Sequence, residues 1–172
     1  GRPFDDLVAD RIIGPLGLEQ TGYRLADITT ENLAMPYASE GDHHKPLYQY
    51  GYPDYPCGQL RSSAVELGTW LRAFMNFGEV DGTRILDEAT GREIRTNQQV
   101  AYWNQGLVWW SGWGPGTFRH MGHTGGDAGV STRMFFRPDK RVGVITLSNG
   151  SMLGSHYPPF HDVEKHLFSV FS

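Results

Sequence analysis

Cysteine is nearly missing from this chain. Cys57 is the only one among 172 residues, which excludes an intrachain disulfide and leaves the redox compartment open. No apolar run approaches the roughly 20 residues of a membrane-spanning helix. No run of lysine and arginine is present to track a phosphate backbone, and 15 basic against 19 acidic residues give a net charge of −4, so no nucleic-acid partner is expected. An initiator methionine, a signal peptide and a transit peptide are missing too. The chain opens on Gly1-Arg2-Pro3, as a processed or excised segment would. Internal repeats and low-complexity tracts are absent.

What is present fits one globular domain, with 39% apolar residues and a high aromatic share of 13%. Pro3 suits a first helical turn, and Phe4, Leu7, Val8 and Ile12 recur at helical spacing until Gly14-Pro15 ends the run. Ser63 and Glu66 form a capping box ahead of an apolar stripe of Leu67, Trp70, Leu71 and Phe74, with Gly78 just beyond the end. A third helix follows Pro158-Pro159 and is expected to turn Phe160, Val163, Leu167 and Val170 or Phe171 inward. Residues 106–149 read as strand, turn, strand. In Val142 to Leu147 both alternating faces are apolar, which marks a strand covered on both sides. The expected class is α+β, one domain over residues 1–172, mainly helix and loop over 1–100, with antiparallel strands and a C-terminal helix over 101–172.

Ala26 to Pro56 has no sustained periodicity and holds Tyr37, Tyr48, Tyr50, Tyr52 and Tyr55. A segment this long without a pattern is either functional or irregular. Its tyrosines either contact a ligand or pack the loop down. Trp109 and Trp110, adjacent on a strand, point to opposite faces, one toward the core and the other toward a cleft. His120 and His123 also face opposite ways and make a poor metal pair. His156, His161 and His166, five apart on a helix, diverge by about 140° per step, so no metal is expected. Cys57 reads as a buried structural thiol, and Ser131 and Ser151 lack a Gly-x-Ser-x-Gly elbow.

The chemistry concentrates in Gly122-His123-Thr124-Gly125-Gly126. Glycines let a strand approach a carbonyl without an obstructing Cβ, while Thr124 offers a hydroxyl and His123 an imidazole. Such a strand can present N–H groups to the negative charge of a tetrahedral intermediate. Downstream come Val130 to Phe136, the turn Arg137-Pro138-Asp139-Lys140, and an apolar strand ending at Asn149. Upstream stand Pro15-Leu16-Gly17-Leu18 with Thr21, the segment Gly58-x-Leu60-x-Ser62-Ser63-Ala64-x-Glu66-Leu67, and Asn104 to Trp109. In this order the segments resemble the C-terminal portion of the serine β-lactamase and penicillin-binding-protein superfamily, which takes in class C β-lactamases, D-Ala-D-Ala carboxypeptidases and family VIII esterases.

The resemblance implies an antiparallel sheet flanked by helices: a β-lactamase/transpeptidase-like α/β sandwich, incomplete because the N-terminal strands and helix lie before residue 1. It implies hydrolysis of ester, amide or β-lactam carbonyls through an acyl-serine, without cofactor. His123 and Thr124 would bind a substrate carboxylate or tune the electrostatics of the family's tyrosine, Gly126 would hold the oxyanion, and Gly125 completes the expected catalytic set. Tyr52, Tyr55 and Trp110 would contact substrate. The family's nucleophile lies in Ser-x-x-Lys, and no serine here has lysine three residues on. Tyr102-Trp103-Asn104 matches the family's Tyr-x-Asn motif but stands downstream of where it belongs. Histidine in place of the motif's usual lysine gives a less permanently cationic site, which favours esterases and peptidases over a dedicated β-lactamase. The isolated residues are expected to be inactive. A partner N-terminal half, or self-association through an open sheet edge, is expected to complete the fold. Periplasmic and secreted locations both occur in the family. Alternatives are a non-catalytic binding module and a structural subunit using the aromatic-rich cleft.

Overall fold

A computed structural model describes residues 1–40, 43–98, 104–113, 119–150 and 160–171. The N-terminal helical run starts after Pro3 with α1 (Phe4–Val8), widens into a π-turn over Ala9–Ile13, and closes in α2 (Gly14–Leu16). It therefore continues through Gly14-Pro15, which were expected to end it. A proline inside a helix clashes with the carbonyl four residues back, and a widened turn relieves that clash. The actual stop is Gly17, left-handed at φ 64°.

The expected loop over Ala26 to Pro56 contains a hairpin, β1 (Tyr37–Glu40) with β2 (His43–Pro46), and short 3₁₀ turns. All of β2 faces solvent, so no apolar alternation marks it in the sequence. One of the turns, Tyr55–Cys57, holds Cys57 at the surface. The expectation of a buried thiol fails there, because this turn has no layer above it.

Helix α3 (Ala64–Met75) begins where expected, with the Ser63 hydroxyl accepting the Glu66 N–H at 3.2 Å. The reciprocal half of the capping box is not made. The Glu66 carboxylate reaches across to the Gln20 N–H at 2.9 Å and the Thr21 hydroxyl at 2.5 Å, and Thr21 also bonds Ser62 at 2.7 Å. This network ties the Pro15-to-Thr21 segment to the start of α3. Gly78, at φ 98°, donates its N–H to Ala73 O at 2.8 Å and closes the helix end. Beyond it come the small hairpin β3 (Glu79–Val80) with β4 (Thr83–Arg84) and helix α4 (Glu88–Arg95).

The main sheet is antiparallel in the order β5 (Trp110–Trp113), β6 (Arg119–Asp127), β7 (Val130–Arg137), β8 (Val142–Ser148). Its two faces carry separate cores. Leu71 and Phe74 of α3 pack with Trp109, Met121 and Phe136 on one side. There the Phe74 and Trp109 rings stack 4.3 Å apart. On the other side Phe135 and Val144 pack with Phe168 of the C-terminal helix α5 (Phe160–Phe171). Val144 and Ile145 thus meet different layers, as the two-sided apolar pattern of β8 requires.

The expected inward face of α5 is rotated. Phe160 and Leu167 pack inward as expected, joined by Glu164 and Phe168, whereas Val163, Val170 and Phe171 are exposed, the last at 65%. An ion pair sets the phase: Glu164, 1% exposed, receives the Arg133 guanidinium from β7 at 2.6 and 3.1 Å. A buried carboxylate goes where its partner is, so hydrophobic spacing alone misjudges this helix.

Candidate active site

The site is one edge of β6. Strand β5 pairs with β6 only from Trp113↔Arg119 to Trp110↔Gly122. Beyond Gly122, no described strand covers that side of His123 to Asp127, while β7 pairs the other side down to Asp127↔Val130. The two-residue turn Ala128-Gly129 closes on Asp127 and Val130, a position that is a hydrogen-bonded pair in such hairpins. Antiparallel alternation then turns the N–H and C=O of Gly126 and Thr124 away from β7, into the open edge. The Thr124 C=O is engaged by His123 Nδ1 at 2.6 Å, and the Gly126 N–H is the group turned to meet a carbonyl laid alongside.

Side chains alternate about this edge. His120, Gly122, Thr124 and Gly126 lie on the α5 face; Met121, His123, Gly125 and Asp127 lie on the α3 face. His123 and Thr124, expected together at a carboxylate, present their side chains to opposite faces. His123 is exposed, and its Nδ1 lies 2.6 Å from Thr124 O. A carbonyl only accepts, so Nδ1 donates this bond, and in the uncharged tautomer that fits it Nε2 is the acceptor. Gly122 is dictated by packing, since a Cβ there would sit 2.1 Å from Phe135 Cδ1 and 2.4 Å from Met134 O. At Gly125 a Cβ would meet Thr132 Oγ1 at 2.5 Å, so that hydroxyl leans over the gap between His123 and Asp127.

The loop preceding α3 seats on the tip of this hairpin. Gly129, at φ 75°, leaves room for Pro36 and the Tyr37 N–H, either of which a Cβ would strike. The Tyr50 hydroxyl donates to Ala128 O at 2.9 Å, and the Asn149 amide donates to Met35 O at 2.8 Å. Arg61 holds the loop's shape through Tyr23 O and Tyr50 O, both at 3.0 Å. Tyr50 and Tyr52 lie with ring centroids 6.2 Å apart. Tyr52 and Tyr55 line a 480 Å³ cavity with Asp5, Tyr23 and Arg24, and the Tyr55 hydroxyl donates to Asp5 at 3.0 Å. Trp110 is placed elsewhere. It packs edge-on against His120 and Phe135 on the α5 face, opposite His123. Tyr102, Trp103 and Ser151 lie outside the described residues. Among the described residues, no three His, Cys, Asp or Glu side chains gather as metal ligands.

The two histidines of β6 differ in burial, His120 covered and His123 exposed. His120 is 5% exposed, its Nδ1 has no partner, and burial, then Arg133 and His161, push its pKa down to about 4. It stays neutral inside the sheet–helix interface. Burial, then the neighbouring Asp127 carboxylate, push the Tyr50 phenol up to about 12. Burial and the same carboxylate also raise Tyr52. Desolvation would raise the Asp5 carboxyl, yet bonds from Tyr55 and the backbone, with the Arg24 charge, hold it below the usual range. Partial desolvation and Asp54 raise the Cys57 thiol, which makes it a weak nucleophile. Asp127 and Arg61 escaped the sequence reading of the site, which had named Tyr50 only among the loop tyrosines; the signal available for Asp127 was a carboxylate immediately after the paired glycines.

A beta-lactamase family model matches residues 1–157. Penicillin-binding protein 4 of Amycolatopsis lactamdurans is 28% identical over 173 residues, covering 91% of this chain and 44% of that protein. An octameric penicillin-binding protein homologue from Pyrococcus abyssi superposes with a TM-score of 0.77 at 20% identity, over 96% of this chain and 37% of that one. For a penicillin-binding protein from Bacillus halodurans the TM-score is 0.74 at 20% identity, over 98% and 50%. A D-stereospecific amidohydrolase from a Streptomyces species gives 0.64 at 23% identity, over 88% and 45%. The fold is thus that of these proteins over part of their length, and the chain spans half or less of each.

Proposed function

The chain belongs to the beta-lactamase family, and from that premise we propose that it forms the oxyanion side of a serine hydrolase active site. The nucleophilic serine and its lysine come from a segment outside these residues. The observation that carries this reading is the edge of β6 that no described strand covers, where alternation turns the Gly126 N–H outward, three residues or roughly 10 Å of strand from the exposed His123. An ester, amide or β-lactam carbonyl laid on that edge places its oxygen at Gly126 N–H. The serine Oγ attacks the carbonyl carbon as its proton passes to a base in that outside segment. The oxyanion forms at the Gly126 N–H, and the leaving group departs with that proton. Water, giving its proton to the same base, then releases the acyl group as the acid and restores the serine. His123, with Nε2 as acceptor, orients the leaving side or a protonated neighbour. In the complete protein, His123→Ala should cut turnover of a reporter ester by roughly ten- to a thousand-fold. An unchanged rate removes His123 from the site.

The same reading extends to assembly. The outer edge of β8 is unpaired among the described residues, and Leu147 on it is exposed. An open edge of this kind takes up another strand, from the rest of the protein or from a second copy, and the Pyrococcus homologue is described as octameric. Size-exclusion with light scattering should show the isolated chain associating. A well-folded monomer counts against it.

A further inference from the structure

Resting on the acyl-serine reading above, we propose that Asp127, together with Tyr50 and Tyr52, receives a protonated amine on the substrate, making ammonium-bearing esters and amides the preferred class. Asp127 follows Gly126 directly, so its carboxylate stands about one residue, roughly 3.4 Å of strand, from the N–H assigned to the oxyanion. It shares the α3 face with His123, four residues away, and Gly125 between them carries no side chain. That leaves a slot along the face with an imidazole at one end, the Thr132 hydroxyl over the middle, and a carboxylate at the other end.

No cation neutralises Asp127 among the described residues. It is exposed, one oxygen accepts the Ala128 N–H at 2.7 Å, and the carboxylate lies beside the Tyr50 phenol. The nearby cation, Arg61, directs its guanidinium to Tyr23 O, Gln59 O, Tyr50 O and the Gln49 amide oxygen instead. Tyr50 is pinned to the same turn through Ala128 O. Burial, with the field of Asp127 added to it, raises both phenols and keeps them protonated. Neutral phenol oxygens and ring faces suit an ammonium group and add no competing positive charge. An anionic group in the same position meets repulsion, so substrates carrying a carboxylate there are disfavoured.

The test compares glycine methyl ester with N-acetylglycine methyl ester as substrates of the complete protein, with acid release followed in a pH-stat. At pH 6.5 the first is an ammonium and the second is uncharged. The ratio of their kcat/KM values should favour the ammonium ester by roughly five- to tenfold. It should fall toward one in Asp127→Asn, survive in Asp127→Glu, and decay in the wild type as pH rises past about 7.7, where an α-amino group loses its proton. A ratio near one in the wild type, or a preference that Asp127→Asn leaves intact, overturns the assignment while the hydrolase reading stands. A wild type that hydrolyses neither ester and takes no fluorophosphonate label overturns both.

Discussion

The two faces of the sheet use the same strand for opposite purposes. Under α5, β6 presents His120, buried, neutral and without a partner at Nδ1, beside Trp110 and Phe135. Toward α3, three residues on, it presents His123, exposed and bonded to its own strand. One imidazole is a packing element whose protonation the fold resists, and the other is a free acceptor beside an uncovered strand edge. The residue type therefore says little by itself; the layer above it decides.

The largest effect that would sharpen this contrast lies in the ion pair on the α5 face. Removing Glu164 leaves Arg133, only 14% exposed in its side chain, without its charge partner. Glu164→Ala should cost about 3–5 kcal/mol in denaturant unfolding. A loss below about 1 kcal/mol would show that α5 is not held in phase by the pair. Next comes acid sensitivity. His120 has a folded pKa near 4 against 6.5 when free, so between those values the unfolded chain binds more protons than the native one. Stability is then full above pH 6.5 and falls as pH drops toward 4, by on the order of 3 kcal/mol. Asp5 and Asp139, both held below the usual carboxylate range, add their losses below about pH 3.8, outside this window. His120→Leu should flatten the profile between pH 4 and 6.5, and an unchanged slope would break the contrast. The smallest effect belongs to the other histidine: His123→Ala should move stability by less than about 0.5 kcal/mol, as for an exposed surface residue, whatever it does to turnover.

These layers also explain what the sequence could show. The helix α3 and the two-sided character of β8 follow from apolar periodicity, because each is fixed by burial against a layer. The phase of α5 does not, because Glu164 goes inward to meet Arg133 and displaces Val163 from the expected face. The β1–β2 hairpin is invisible to pattern reading, since β2 buries nothing. The capping box at α3 was half right: Glu66 has the correct position, but Gln20 and Thr21, distant in sequence, capture its carboxylate. Of the candidate site, the glycine-flanked strand was legible from its motif. The separation of His123 from Thr124 follows from strand alternation. The departure of Trp110 to the opposite face could be assigned only once its register with Gly122 was known. Asp127 passed unnoticed because its meaning depends on Tyr50 and Tyr52, which lie more than seventy residues earlier in the chain.

The central claim is that these residues supply the oxyanion side of a site whose nucleophile stands elsewhere. The most direct measurement is intact-mass and peptide-level analysis after fluorophosphonate treatment of the 172-residue chain and of the complete protein. The account predicts no adduct on the chain alone and one adduct per complete protein, on a serine outside Gly1–Ser172. A stoichiometric adduct on any serine within these residues would contradict it.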